Sequence, residues 1–299
     1  MLHLRPRLRI SRVARILTTA TVVPPLAACG TAPDSGPADS TALATQSSAV
    51  ATQSATVTPI PDGPFGAAIL RGKALLADTR DSLPDYVGNQ LRCMSCHLDE
   101  GRRRQGSWVG VHARYPQYRP RSATVETLEF RVNDCLKRSM NGKPLPTDSR
   151  EMREIIAYFA YLSIGVPVGD TLTRPVPLLA FIPGDSVRGA SLFTARCALC
   201  HGPDGAGTAA GPPLWGDGSY NVGAGMTRVR TAATFIRYNM PLHEPGTVSE
   251  QEAFDLSTFI NRQPRPDYPG KELDWPHGDP PPDVAYETRA AKARQVAPR

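Results

Sequence analysis

Residues 93–97 read CMSCH, and residues 197–201 read CALCH. Two cysteines three apart, followed at once by histidine, can form thioethers to the two vinyl groups of one haem and hold the histidine beneath its iron. The pattern therefore predicts two covalently bound haem c groups. Cys93, Cys96 and His97 hold one, and Cys197, Cys200 and His201 hold the other. A zinc site built from the two cysteine pairs competes, but it gives no reason for a histidine after each pair. A thioredoxin-like dithiol normally sits in a strand–helix setting, which is not legible around either motif. Aromatic residues are only 7% of the chain, and a haem in each half would supply the missing apolar bulk.

Outward from the motifs, the two halves follow one plan. A short helical pattern precedes each: FGAAILRGKALLAD (65–78) and VRGASLFTARC (187–197). An amphipathic helix with a capping signature closes each. Asp148 ahead of Glu151 starts SREMREIIAYFAYL, and Ser249 ahead of Glu252 starts EQEAFDLSTFI. Thr147, Ser149, Phe159 and Met140 recur 100 positions on as Thr247, Ser249, Phe259 and Met240. No strand pattern of any length competes. The reading is all-α: two cytochrome c-like haem domains in tandem, 64–165 and 184–264. The proline-rich stretch VPVGDTLTRPVPLLAFIP (166–183) joins them. The tail, 265–299, is expected to wrap the core at its near end and to be disordered at its far end.

The first 28 residues carry Arg5, Arg7, Arg9, Arg12 and Arg15, no acid, and the apolar stretch ILTTATVVPPLAA. That is the layout of a secretory signal, and the stretch is too short to span a bilayer. LAAC at 26–29 resembles the bacterial lipoprotein box, which implies a lipid anchor at Cys29 and a periplasmic, membrane-tethered protein. An ordinary cleavage signal that leaves Cys29 free competes. Residues 29–63, rich in Ala, Thr, Ser and Pro, are expected to form a disordered tether. Without the five leader arginines the formal charge of +6 falls to +1, which excludes a global pull on nucleic acid. The charge is local instead. Gly101–Lys143 holds ten Lys or Arg against three acids, which suggests a small-anion site, with a solvated arginine face as the alternative.

Each haem needs a sixth ligand. For the second, Met240 in YNMPLHEP is nominated, with Met226 in GAGMTRVR as competitor. For the first, the repeat nominates Met140, whereas the local sequence nominates Cys135. ATVETLEFRVNDCLKR (123–138) reads as a helix, on which Arg131, Cys135 and Ser139 share one face. Cations beside a thiol favour its thiolate. A buried inert cysteine, or a disulfide to Cys29, remains open on spacing alone.

CMSCHLDEG, YPQYRPRS, RVNDCLKRSMNGKPLP, CALCHGPDGAG, PPLWGDGSYNVGAGM and NMP together resemble the dihaem thiosulfate dehydrogenase family of bacteria, over about Leu75 to Pro266. The resemblance implies histidine and cysteine on the first iron, His97 and Cys135, with Arg121, Arg131 and Ser139 in the active site. Some members carry a lysine beside the distal methionine. Here that neighbour is Asn239, which implies simple His201/Met240 ligation. The implied reaction joins two thiosulfates into tetrathionate and passes two electrons through both haems to a soluble or membrane-bound redox partner. Related enzymes run in reverse as tetrathionate reductases. A non-catalytic dihaem carrier, or the haem subunit of a larger complex, is the alternative.

Overall fold

The computed structural model describes residues 58–169 and 176–296. In the first half, α1 (Pro64–Ala77) and the single turn α2 (Thr79–Ser82) lead to the first CxxCH. The motif forms a 3₁₀ turn, Cys93–Ser95, followed by the short turn α3 (Leu98–Gly101). A two-stranded antiparallel ribbon follows, β1 (Gln117–Arg119) and β2 (Thr124–Glu126), in the register Tyr118 to Val125. Then come α4 (Leu128–Arg138) and α5 (Arg150–Tyr161). The second half has α6 (Ser186–Arg196), α7 (Ala198–His201), α8 (Val229–Asn239) and α9 (Glu250–Asn261). The tail ends in α10 (Arg289–Val296).

The dipeptide Arg-Gly explains why the halves share a frame. In the first, Gly72 of α1 lies so close to α5 that an added Cβ would stand 1.9 Å from the Glu154 carbonyl oxygen. Its neighbour Arg71 places Nε 2.6 Å from the Glu154 carboxylate. In the second, the corresponding Cβ on Gly189 would stand 2.1 Å from the Asp255 carbonyl oxygen, and Arg188 Nε is 2.9 Å from the Asp255 carboxylate. A glycine thus lets two helix backbones touch while the adjacent guanidinium neutralises a nearly buried acid. Each crossing anchors its own core. Ile69, Leu136, Met152 and Ile155 belong to the first, and Phe193, Ala233, Phe254 and Leu256 to the second.

The closing helices begin where serine caps them. Ser249 and Glu252 form a reciprocal box: Glu252 N–H donates to Ser249 Oγ (3.2 Å) and Ser249 N–H to Glu252 Oε2 (2.8 Å). The first cap falls one residue later than the sequence signature indicates. Ser149, not Asp148, has the extended backbone and accepts from Met152 N–H at 3.1 Å.

Three further expectations are corrected. The helix expected over 123–138 starts at Leu128, because Ala123 turns with φ +54°, residues 124–126 pair with β1, and Thr127 caps α4. Strands of three residues are too short to display alternation, so the ribbon was invisible in the sequence. The far end of the tail is helical to Val296. The expected signal peptide, Cys29 and most of the tether lie outside the described residues. The tether's last residues pack on the first module, where Tyr161 Oη donates to Thr58 O (2.6 Å) and Ile60 meets the core. The far part of the linker packs on the second module. Buried Leu179 donates its N–H to Thr234 Oγ1 (3.1 Å) and accepts from Arg230 Nε (2.6 Å).

The halves meet at the end of α4, whose last carbonyls have no partner within the helix. Asn221 of the second half supplies them: its Nδ2 donates to Lys137 O (2.9 Å) and its N–H to Arg138 O (3.2 Å). Asn89 Nδ2 lies 2.9 Å from both Ser139 O and Ser219 O, stitching the same seam. The direction of α4 is therefore set by both modules.

Candidate functional site

Both CxxCH histidines are held in one way. His97 Nδ1 lies 2.6 Å from Gly106 O, and His201 Nδ1 lies 2.8 Å from Pro212 O. A carbonyl can only accept, so Nδ1 carries the proton and Nε2 keeps its lone pair for a metal. Trp108 stacks on His97, with ring centroids 4.6 Å apart and 26° between planes. Burial, helped by the charge of Arg131, pushes His97 down to about 4, and burial also lowers His201. Both imidazoles are neutral at physiological pH, the form that ligates iron. Burial raises the thiols: Cys93 to about 12, Cys96 to about 11 and Cys197 to about 11.

In the second module a cavity of about 920 Å³ opens beside the motif. Cys197, Cys200, His201, Met226, Phe235 and Met240 are among the residues that line it. Leu91, Met94 and Cys96 of the first module also border it, so one cavity touches both CxxCH motifs. Two thiols, a neutral imidazole, thioethers and aliphatic walls fit a covalently bound haem, and the volume suits a ligand of that size. The two methionines differ in setting. Met240 packs with the second core, whereas Met226 packs against the first. Met140, the repeat's counterpart of Met240, is buried within the first core.

The first module surrounds its motif differently. α4 carries Arg131 and Cys135 one turn apart, and Ser139 is its C-cap, with N–H donating to Cys135 O (2.8 Å). Cys135 is partly buried and forms no disulfide among the described residues. It stands near enough to Cys93 and Cys96 for its charge to raise both. The same sulfur charge, ahead of the Asp134 carboxylate, holds Arg131 firmly protonated. Arg131 Nη1 is 3.6 Å from Asp134 Oδ2. Arg121 arrives from the turn of the ribbon. Its Nη1 donates to Gly223 O (2.6 Å), and its guanidinium lies 4.6 Å from the Trp275 ring centroid.

Around these expected residues stands a set that sequence reasoning missed. Arg138 donates from Nε to Asp134 (2.6 Å) and from Nη1 and Nη2 to the two oxygens of Asp274 (2.7 and 2.8 Å). Its guanidinium lies 4.3 Å from the Tyr268 ring centroid. Tyr286 Oη also donates to Asp274. Burial opposes the charge on Arg138, but the hydrogen bonds and charges of Asp274 and Asp134 together outweigh it and hold Arg138 protonated. The Asp134–Arg138 pair could have been found from its i, i+4 spacing. Nothing local marks Asp274, which joins from 136 residues away.

Comparisons with known proteins agree with this division. Residues 87–168 match the family described as SoxA/TsdA, cytochrome c domain, and residues 185–260 match that described as cytochrome C oxidase, cbb3-type, subunit III. The chain is similar to the thiosulfate dehydrogenase of Allochromatium vinosum, 43% identical over 220 residues, which span 69% of this chain and 82% of that one. It is also similar to the thiosulfate dehydrogenase of Psychrobacter arcticus, 39% identical over 234 residues, covering 75% and 72%. Among solved structures, the "as isolated" form of thiosulfate dehydrogenase (TsdBA) from Marichromatium purpuratum superposes with a TM-score of 0.67 at 36% identity. The match covers 71% of this chain and 49% of that one, so this chain corresponds to about half of that protein.

Proposed function

Because the chain belongs to the thiosulfate dehydrogenase family of c-type cytochromes, we propose that it oxidises thiosulfate outside the cytoplasm, joining two molecules through their sulfane sulfurs into tetrathionate. The juxtaposition of Cys135 with Arg131, beside the thiols of the first CxxCH, carries this reading. Two haem c groups, one on Cys93, Cys96 and His97 with Cys135 as sixth ligand, the other on Cys197, Cys200 and His201 with Met240, would supply two one-electron acceptors.

The remaining work falls to the side chains. Thiosulfate is a dianion, and bringing two together costs roughly 4 kcal/mol per unit-charge pair at about 4 Å and an effective dielectric near 20. Arg121 and Arg131 offset that charge, and the Ser139 hydroxyl donates to a sulfonate oxygen. In the covalent form of the reaction, the Cys135 thiolate and the sulfane sulfur of the first thiosulfate form an S–S bond with loss of two electrons. The second thiosulfate attacks the sulfane sulfur of that adduct. The central S–S bond of tetrathionate forms, and the Cys135 thiolate leaves. No net proton is transferred, and the two electrons released match the two acceptors.

Leu91, Met94 and Cys96 share a cavity with His201 and Met240, which supports exit through the second module to a soluble or membrane-bound electron-transfer protein. Among the described residues no helix is long and apolar enough to cross a membrane. We assign membrane contact to a lipid on Cys29. A pure electron carrier would need Met140 on the first iron; unlike Met240, that side chain does not line the cavity that borders both CxxCH motifs.

The deciding experiment is Cys135→Ala in the haem-loaded protein. Thiosulfate-dependent haem reduction is expected to fall at least about a hundredfold, with both haems retained, and a thiosulfate adduct is expected on the wild-type Cys135 peptide. Undiminished turnover in the variant would overturn the reading.

A further inference from the structure

The C-terminal tail crosses back over the arginines of the first module, and its contacts there are specific. Asp274 and Trp275 are both nearly buried. Asp274 binds both terminal nitrogens of Arg138, accepts from Tyr286 Oη, and lies 3.9 Å from Arg121 Nε. Trp275 holds Arg121 twice over: its N–H donates to Arg121 O (2.8 Å), and its indole lies under the guanidinium. To do so Trp275 adopts φ +51°, the left-handed region that a bulky side chain rarely enters. Such backbone persists only where the surroundings over-determine it, and it concentrates at functional sites.

The electrostatics give these contacts a purpose. Arg121, Arg131 and Arg138 crowd one region, and burial together with the charge of Arg138 weakens the hold of Arg121 on its proton. Arg138 is fully engaged by Asp134 and Asp274, so it acts as a spacer rather than as an anion ligand. Asp274 stands between Arg138 and Arg121 and offsets their repulsion. It spends its hydrogen bonds on Arg138 and Tyr286 and stays beyond hydrogen-bond reach of Arg121. Arg121 thereby keeps its charge, while Gly223 O and the indole fix its direction.

We infer that Asp274 and Trp275 are positioning residues of the sulfur-oxyanion site: the tail clamps Arg121, through its backbone and its ring face, in the orientation that receives thiosulfate. This inference rests on the proposed function, and the test separates the two. In the haem-loaded full chain, thiosulfate oxidation with a one-electron dye acceptor gives KM and kcat for Asp274→Asn, Trp275→Leu, Trp275→Phe and Arg121→Ala. Asp274→Asn and Trp275→Leu are expected to raise KM about tenfold, as loss of a charge-assisted contact does, with kcat within about twofold and the haem spectrum unchanged. Trp275→Phe, which keeps a ring under the guanidinium, should recover most of the loss. If Arg121→Ala raises KM but Asp274→Asn and Trp275→Leu do not, the inference falls and the thiosulfate reading stands. If Arg121→Ala itself leaves KM unchanged, Arg121 does not receive the anion and the inference falls, whereas a wild-type protein that oxidises no thiosulfate at all would sink the thiosulfate reading. If kcat and haem content fall along with the rise in KM in Asp274→Asn and in both Trp275 variants, the tail is merely structural and the inference is overturned.

Discussion

The two modules share a proximal side and part company on the distal one. Each has an Arg-Gly crossing, a serine-capped closing helix and a histidine whose Nδ1 is tied to a carbonyl. At the 100-residue offset, however, Arg131, Cys135 and Ser139 of the first correspond to Thr231, Phe235 and Asn239 of the second. Phe235 lines a cavity walled largely by aliphatic side chains, whereas Cys135 sits among guanidinium groups and carboxylates. Met240 reaches its cavity, while its counterpart Met140 fills a core. One scaffold thus surrounds its CxxCH motif with charged side chains in one module and apolar ones in the other, according to a few residues on one helix. With the proposed ligands, a Cys135 sulfur on the first iron would lower its potential relative to a Met240 thioether on the second, which would direct electrons from the first module to the second.

The comparison can be tested at three depths. The deepest is the shared frame. Gly72→Ala and Gly189→Ala each drive a Cβ into a backbone oxygen that cannot move aside. Both are expected to destabilise by about 3 kcal/mol or more, read as loss of thermal stability with release of the adjoining module's protection in hydrogen exchange. If one is silent, the two crossings are not equivalent. Next is the distal contrast. Met240→Ala is expected to shift the second haem's potential by on the order of 100 mV, within the roughly 0.8 V that axial ligation spans. Met226→Ala and Met140→Ala should leave that potential nearly unchanged in redox titration. A large shift with Met226→Ala would exchange the roles of the two cavity methionines.

The smallest expected effect is on acid stability. Burial would raise Glu154 and Asp255, but hydrogen bonds and charge from Arg71 and Arg150 on the first, and from Arg188, the Asp185 N–H and Gln251 on the second, together overcome it and hold both below the ordinary carboxylate range. A depressed folded value means that the contribution is complete above the unfolded pKa values, about 4, and is lost as pH falls through the folded ones. Because Arg71 and Arg188 are half exposed, solvent screens both pairs and the effect is expected to be small. Glu154→Gln and Asp255→Asn should each flatten stability against pH below about 4, measured by chemical unfolding. An unchanged slope in both would show that the pairs are screened to nothing.

Legibility in the sequence followed the range of the interactions involved. The CxxCH motifs, the capped closing helices and the Arg131–Cys135 spacing could be read because each is settled within about one or two helical turns. The ribbon at 117–126 escaped because its strands have three residues each, and the start of α4 was misjudged with it. The Arg-Gly pairs were in plain view, yet Gly72 and Gly189 acquire meaning only when a second helix backbone comes within van der Waals range. The tail's contacts with Arg121 and Arg138 were hidden more completely. Asp274 and Trp275 lie in a proline-rich tail with no periodicity to mark them.

By itself, the sequence determined which atoms can bond covalently to a haem, that this happens twice on one repeated plan, and that a lone thiol shares a helix face with an arginine. These are matters of chemical identity and short spacing, which the chain fixes before it folds. The tertiary structure alone decided that Met140 is core while Met240 faces a cavity, that α4 ends on Asn221 of the other module, and that a distant tail grips Arg121 and Arg138. Charges and backbones more than a hundred residues apart act on one another only after burial has brought them together and removed the water between them.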